Sequence, residues 1–301
     1  MKPFLPVLGM LLLAAAPAFP LPAGEVAVLC DTDVGPYREL LKGFREASAL
    51  PVRVIAPGDA RQEGLEERLR GQGAVAVLAV GERARASVDG LRRLPVLLAM
   101  VPRAEPWVAA QPNRLGIEMA LSPRRHLETI RRVFPRARRI GVIFDPGQTG
   151  GYAREAAAAA AGLGLTLVPR EITRPAELQR RLEELRGQVD LLWLLPDSTV
   201  LQAANLDVLL LASFESRLPL SGFARKYVEL GAVAAAHLDP AAMGAQAAGM
   251  FAAALDQAAA PAAARWRYAV GARLVVNQKV ARKMGLDLDP ALLEDADDVL
   301  R

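Results

Sequence analysis

The chain has 301 residues, of which 52% are hydrophobic and 23% charged, with a formal net charge of +4; these values suit a globular protein with a substantial core and favour two domains over one. A single cysteine, Cys30, excludes an internal disulfide, and two histidines, His126 and His237, exclude a histidine-rich metal site. Aromatic residues make up only 5%, so the cores must be built from Leu, Val, Ile and Ala, and no aromatic platform accompanies the arginines that nucleic-acid binding would need.

In chain order, residues 1–23 read as a secretory signal: Lys2 is the positive start, Leu5–Ala16 the apolar stretch, and cleavage is expected after Ala18 or Ala23. The apolar run is short of the ~20 residues a membrane span needs, so an exported, soluble mature chain is expected. Cys30 reads as the end of the first buried strand. It lacks the small preceding residue of a lipid-attachment site, since Ala27-Val28-Leu29 stands before it.

Strand-length apolar runs then alternate with amphipathic stretches. Strands are expected at Val26–Cys30, Val52–Ala56, Ala74–Val80 and Val96–Val101, with helices at Tyr37–Ser48 and Arg61–Arg70 between them. Arg114–Ile117 looks like a strand leaving this first unit, and Ser122-Pro123 caps a helix over Pro123–Val133. Its arginines form a solvated face, with His126 read as solvated among them. The pattern then repeats: strands at Arg139–Phe144, Leu165–Pro169, Val189–Leu195, Leu218–Ser221 and Ala232–His237, with helices at Gly151–Leu163 and Ala176–Arg186. A helix at Ala241–Gln257 and a strand-like Arg273–Val276 follow. Such alternation predicts an α/β fold of two Rossmann-like lobes, parallel sheets flanked by helices. The expected division is 24–118 plus 239–268 for the first lobe and 119–238 plus 269–301 for the second.

In open α/β sheets ligands bind at the carboxyl ends of strands, so those turns supply the candidate residues. After the first strand, Asp31, Thr32, Asp33 and Tyr37 suit a ligand ammonium or hydroxyl, while Thr32 or Asp33 could equally cap the helix. Gly81 and Glu82 end the third strand, where free amides attract a carboxylate; the bland alternative makes Glu82 a helix-start acid. Met100 is an adaptable cleft wall or a core residue. Gln148 and Thr149, in a glycine-rich turn that matches no nucleotide motif, cap a helix with one of them touching solute. Pro196-Asp197-Ser198-Thr199 is the strongest local signal: Asp197 accepts from a ligand, and Ser198 and Thr199 cap the helix. Phe223 can stack on an apolar portion of the ligand. Asp239 is a cap or a ligand acceptor, and His237 ends a strand near the hinge. Asp197 and Phe223 are expected to face Asp31 and Tyr37 across one cleft. No nucleophile-elbow, HExxH or P-loop motif supports catalysis, so the chain is read as no enzyme.

The run from Val189 to Ala248, with Leu195-Pro196-Asp197-Ser198-Thr199, Gly222-Phe223, Gly231-Ala232, Asp239 and Gly244-Ala245-Gln246-Ala247-Ala248, resembles the solute-binding proteins of ABC transporters. The similarity is to the group related to tryptophan- and other aromatic-amino-acid-binding lipoproteins. It implies a type I periplasmic-binding-protein fold with about three crossovers between lobes. It also implies a small-molecule ligand, an amino acid or related compound, an ABC permease in the membrane as partner, a periplasmic or secreted location for this chain, no cofactor and no nucleic acid, with a monomer expected. The His-Pro loop common after the first strand in relatives is missing here, so ligand identity is not carried over. A ligand-sensing or scaffold protein with the same fold is the alternative.

Overall fold

The computed structural model describes residues 24–58, 64–256 and 265–301. The segment read as a secretory signal, the first three residues of the Arg61–Arg70 helix and the last residue of Ala241–Gln257 lie outside them. Five strands open the chain: β1 (Glu25–Leu29), β2 (Val52–Ile55), β3 (Ala74–Val80), β4 (Val96–Val101) and β5 (Arg114–Leu121). Five more follow: β6 (Arg139–Phe144), β7 (Thr166–Glu171), β8 (Leu191–Trp193), β9 (Leu220–Gly222) and β10 (Ala234–Leu238). The last three are β11 (Trp266–Ala269), β12 (Ala272–Asn277) and β13 (Asp298–Leu300). The first sheet runs β11-β5-β4-β3-β1-β2 and the second β13-β12-β10-β9-β8-β6-β7. Among the described residues every pairing is parallel except β10 with β12. Both sheets are flanked by helices, and the chain folds as two α/β lobes, as the alternating pattern predicts.

The helices that position the site are α1 (Gly35–Ala47), α2 (Leu65–Gly71), α3 (Glu82–Val88), α4 (Glu105–Ala109), α5 (Pro123–Val133) and α6 (Pro146–Ala161). They are followed by α7 (Leu178–Leu185), α8 (Ala203–Ser216), α9 (Arg225–Leu230) and α10 (Pro240–Leu255). Helix α5 matches its expected span because its start is written locally: the Ser122 hydroxyl accepts from the Arg125 N–H at 3.4 Å, and Pro123 occupies the first turn. Leu127, Ile130 and Val133 recur at helical spacing and are buried.

Three passages join the lobes. The first leaves β5 at Leu121 and enters α5, the second leaves β10 and enters α10, and the third is the short Val270-Gly271 link between β11 and β12. Helix α10 packs against α1 of the first lobe. A Cβ at Gly43 would overlap the Ala241 carbonyl oxygen, and one at Gly244 the Leu40 carbonyl oxygen, so this contact is built on glycine. Each lobe has its own core: Val26, Leu40, Phe44, Leu78 and Phe251 in the first, Leu127, Ile140, Ala156, Trp193 and Val276 in the second.

Two expectations need correction here. The glycine-rich turn after β6 is already helix: Asp145 accepts from the Gly147 N–H at 2.8 Å and starts α6 five residues before Gly151. Within it Thr149 departs from helical dihedrals (φ −124°, ψ 16°). His126 is not solvated but 4% exposed, because its side of α5 packs under β10. Cys30 is buried just past β1, and burial, together with Asp31 beside it, pushes its thiol up to about 11.

Candidate functional site

The carboxyl ends of the two sheets meet at one cleft with two adjoining compartments. The hinge-side compartment has a volume of about 380 Å³ and the outer one about 480 Å³. Met119, Ala120, Tyr152 and Pro196 line both. Both lobes contribute: Met100 and Glu39 from the first, and Tyr152, Phe223 and His237 from the second, face the hinge-side space.

On the first lobe the backbone shapes the wall. Met100 has φ 58°, a left-handed conformation uncommon outside glycine, where the β4–β5 register shifts between Leu98 and Val101. This irregularity turns a side chain that is only 5% exposed to the cavity edge. Arg103 is likewise left-handed (φ 55°), and its N–H donates to Glu118 Oε1 at 2.8 Å. Glu118 Oε2 accepts from the Ala104 N–H at 3.2 Å and the Trp266 indole N–H at 3.4 Å. Burial raises the Glu118 carboxyl above its ordinary range, and these donors only partly offset it.

On the second lobe a buried acid organises the loops. Asp197 is 1% exposed. Its Oδ2 accepts from the Asp145 N–H at 2.8 Å and the Thr149 hydroxyl at 2.7 Å. Its Oδ1 accepts from the N–H groups of Thr199 (3.0 Å) and Val200 (3.1 Å). The Thr199 hydroxyl donates to Asp145 Oδ2 at 2.7 Å, closing a ring that ties the β6–α6 turn to the loop after β8. Asp197 is therefore a brace behind the wall and not a group that faces the cavity, because four donors already fill its acceptor positions. Thr149 and Thr199 point their hydroxyls into the same brace. On this lobe Pro196, Ser198, Gln148, Thr149 and Phe223 are the expected residues that line the cleft. Phe223 rests against Tyr227, ring centroids 4.9 Å apart.

The other expected residues lie elsewhere. Asp31, Thr32 and Asp33 line a separate depression with Arg83, whose guanidinium pairs with Asp31 at 3.3 Å. Tyr37 packs over Gly81, where φ is +84° and a Cβ would collide with the ring, and it lines neither compartment. Pro36 and Glu39 reach the cleft in its place, so Asp31 and Tyr37 do not face Phe223. Glu82 pairs with Arg85 at 2.7 Å. Asp239 caps α10, accepting from Ala241 N–H at 3.0 Å, and pairs with Arg273 at 2.9 Å.

Sequence reasoning missed several lining residues. His126 Nε2 donates to the Ala236 carbonyl at 3.1 Å, which leaves Nδ1 as acceptor 3.2 Å from the Tyr152 hydroxyl. The single Tyr152 hydroxyl proton is shared between Nδ1 and the Leu121 carbonyl at 2.9 Å, so the cluster touches β5 and β10, the strands that lead into two of the inter-lobe passages. Burial lowers His126 to about 4. Arg273 pairs with Glu39 at 3.1 Å, linking β12 to α1. Tyr268 donates to Glu155 at 2.8 Å, linking β11 to α6. One signal was available: Trp266 and Tyr268 alternate on one strand face in an aromatic-poor chain. Among the described residues no cluster of His, Cys, Asp and Glu could hold a metal ion, and no helix is long and apolar enough to cross a membrane.

A profile of the family described as ABC transporter substrate binding protein matches residues 106–300. A search of curated proteins finds no match. Solved structures do match. A substrate binding protein with adhesive properties from Clostridium difficile, in its ligand-free, open form, superposes with TM-score 0.67 at 17% identity, over 91% of this chain and 98% of that one. An ABC domain in complex with L-Trp from Streptococcus pneumoniae gives TM-score 0.56 at 18% identity, over 92% and 99%. A conserved domain protein from Vibrio cholerae gives 0.55 at 23%, over 92% and 99%. At these identities the likeness is one of fold, that of type I periplasmic binding proteins.

Proposed function

The chain belongs to the ABC transporter substrate binding protein family, and from that premise we propose that it captures a small polar or zwitterionic solute, an amino acid or related compound, and delivers it to an ABC importer. The observation that carries this reading is the cleft itself: two parallel sheets present their carboxyl ends to one space lined from both sides. Three connecting passages let the lobes rotate about a hinge. A solute that touches both walls binds the closed arrangement better than the open one, and that difference drives closure. The permease then reads the closed form. Met100, Phe223 and Tyr152 are the apolar contacts of this reading, with Gln148, Ser198 and His237 offering hydrogen bonds. The L-Trp complex of the pneumococcal relative supports an amino acid as solute. Residues 1–23, read as an export signal, support a periplasmic or secreted location.

A thermal-shift screen against amino acids, purines, sugars and small organic acids, with small-angle scattering on each hit, tests the proposal. A hit that raises the melting temperature and shrinks the radius of gyration is expected. Binding of bulky lipids or metal ions alone, or a hit with no compaction, would remove it.

A further inference from the structure

The two compartments differ in how their charges are answered. In the hinge-side space the acid Glu39 is paired with Arg273 at 3.1 Å. In the outer space Glu105, Glu118 and Glu155 line the wall, and none of the three forms an ion pair among the described residues; Arg103 is the one guanidinium lining the same cavity. A chain with net charge +4 thus keeps a net negative cavity at its cleft. The remaining walls are aromatic. Trp266 and Tyr268 stand edge to face with centroids 4.9 Å apart, and Tyr268 and Tyr152 do the same at 6.1 Å. We propose that this outer compartment takes an organic cation, a protonated or quaternary amine with an apolar body, its charge between Glu118 and Glu155 and its body against Trp266, Tyr268 and Tyr152.

The physical case has three parts. Ring faces attract a cation within about 6 Å, and neighbouring carboxylates strengthen the attraction in a water-poor cavity. Glu118 is held in place by the left-handed backbone at Arg103, a strained conformation that keeps a partly desolvated carboxylate at the cavity. A cation would answer that charge. Finally, Glu118, Trp266 and Tyr268 belong to the first lobe and Glu155 and Tyr152 to the second, so a cation bound between them favours the closed arrangement. This inference rests on the solute-capture reading and names the chemistry of one end of the solute.

The experiment compares matched probes by calorimetry: choline against neohexyl alcohol, its neutral isostere, and phenethylamine against phenethyl alcohol. Wild-type protein, Glu118→Gln and Glu155→Gln are used; Glu155 is exposed, so its variant folds even if Glu118→Gln does not. At least one cation is expected to bind about tenfold more tightly than its isostere, with the preference cut about three- to tenfold in either variant. Equal affinity within both pairs, no binding of either cation at millimolar concentration, or a preference that survives Glu155→Gln unchanged would overturn the inference. If a neutral or anionic solute compacts the protein while the amines fail, solute capture stands and the cation site falls. If the amines bind with the expected preference but cause no compaction, the cation site stands and capture by closure falls.

Discussion

Each lobe carries an acid near the carboxyl end of a strand, and the two acids do different work. Asp197 of the second lobe is enclosed: two backbone turns and a threonine hydroxyl surround it, leaving nothing for a solute. Glu118 of the first lobe is held from one side by two backbone N–H groups and an indole, and its other side faces the outer compartment. The second lobe rigidifies its edge with a buried side chain, whereas the first does so with left-handed backbone at Met100 and Arg103. An acid at a strand end is therefore not yet a binding group; what decides is how many donors the neighbouring loops already aim at it.

The largest test of this contrast is Asp197→Ala. It strands four buried or half-buried donors and should cost ~4 kcal/mol in urea unfolding, since each unmet donor costs about 1–3 kcal/mol and water rescues some. Asp31→Ala, which removes an exposed hydrogen bond from the Asp33 N–H and a pair with an arginine whose side chain is 77% exposed, is the first-lobe control and should cost under ~1 kcal/mol. If Asp197→Ala unfolds like wild type and only solute binding weakens, the brace assignment is wrong.

Next in size is pH. His126 is buried and neutral, lowered from 6.5 to about 4. Below pH 6.5 the unfolded chain takes up a proton that the folded one refuses, so its contribution is fully present above 6.5 and lost as pH falls to about 4. The loss should reach ~3 kcal/mol over that window, and His126→Gln should flatten that part of the profile. A wild-type stability that stays level between these values contradicts the buried assignment. Glu118 acts with the opposite sign, because burial raises its carboxyl: its contribution is present at low pH and lost as pH rises through the folded value.

The smallest effect tests the first lobe's strained backbone. Met100→Gly and Met100→Ala remove nearly the same side chain, but only glycine accepts φ 58° without cost. The glycine variant should therefore be more stable than the alanine variant by ~1 kcal/mol in the same unfolding assay. Equal stabilities would mean that position 100 relaxes out of the left-handed region.

Much of the fold was legible because its signals are local. β3, β4 and β6 coincide with their expected spans, being unbroken apolar runs between turn residues, and α5 carries its own cap and a clean helical period. The short β13 and β11 were not legible, since three or four residues carry too little pattern, and β11 takes its partner, β5, from far away in the chain. Among the expected cleft residues, Met100, Pro196, Ser198, Gln148, Thr149 and Phe223 line the space because the strand-end rule concerns backbone direction, which parallel pairing settles. The fate of the polar side chains was decided only in three dimensions. Asp197 became a brace because the β6–α6 turn delivers an N–H and a hydroxyl from about fifty residues away. His126 became a buried hinge group because β10 covers the face that α5 alone would leave to water. Periodicity along a chain records which side of an element is apolar; which donors and carbonyls arrive over a polar side chain depends on segments distant in sequence, and that is fixed only when the lobes pack.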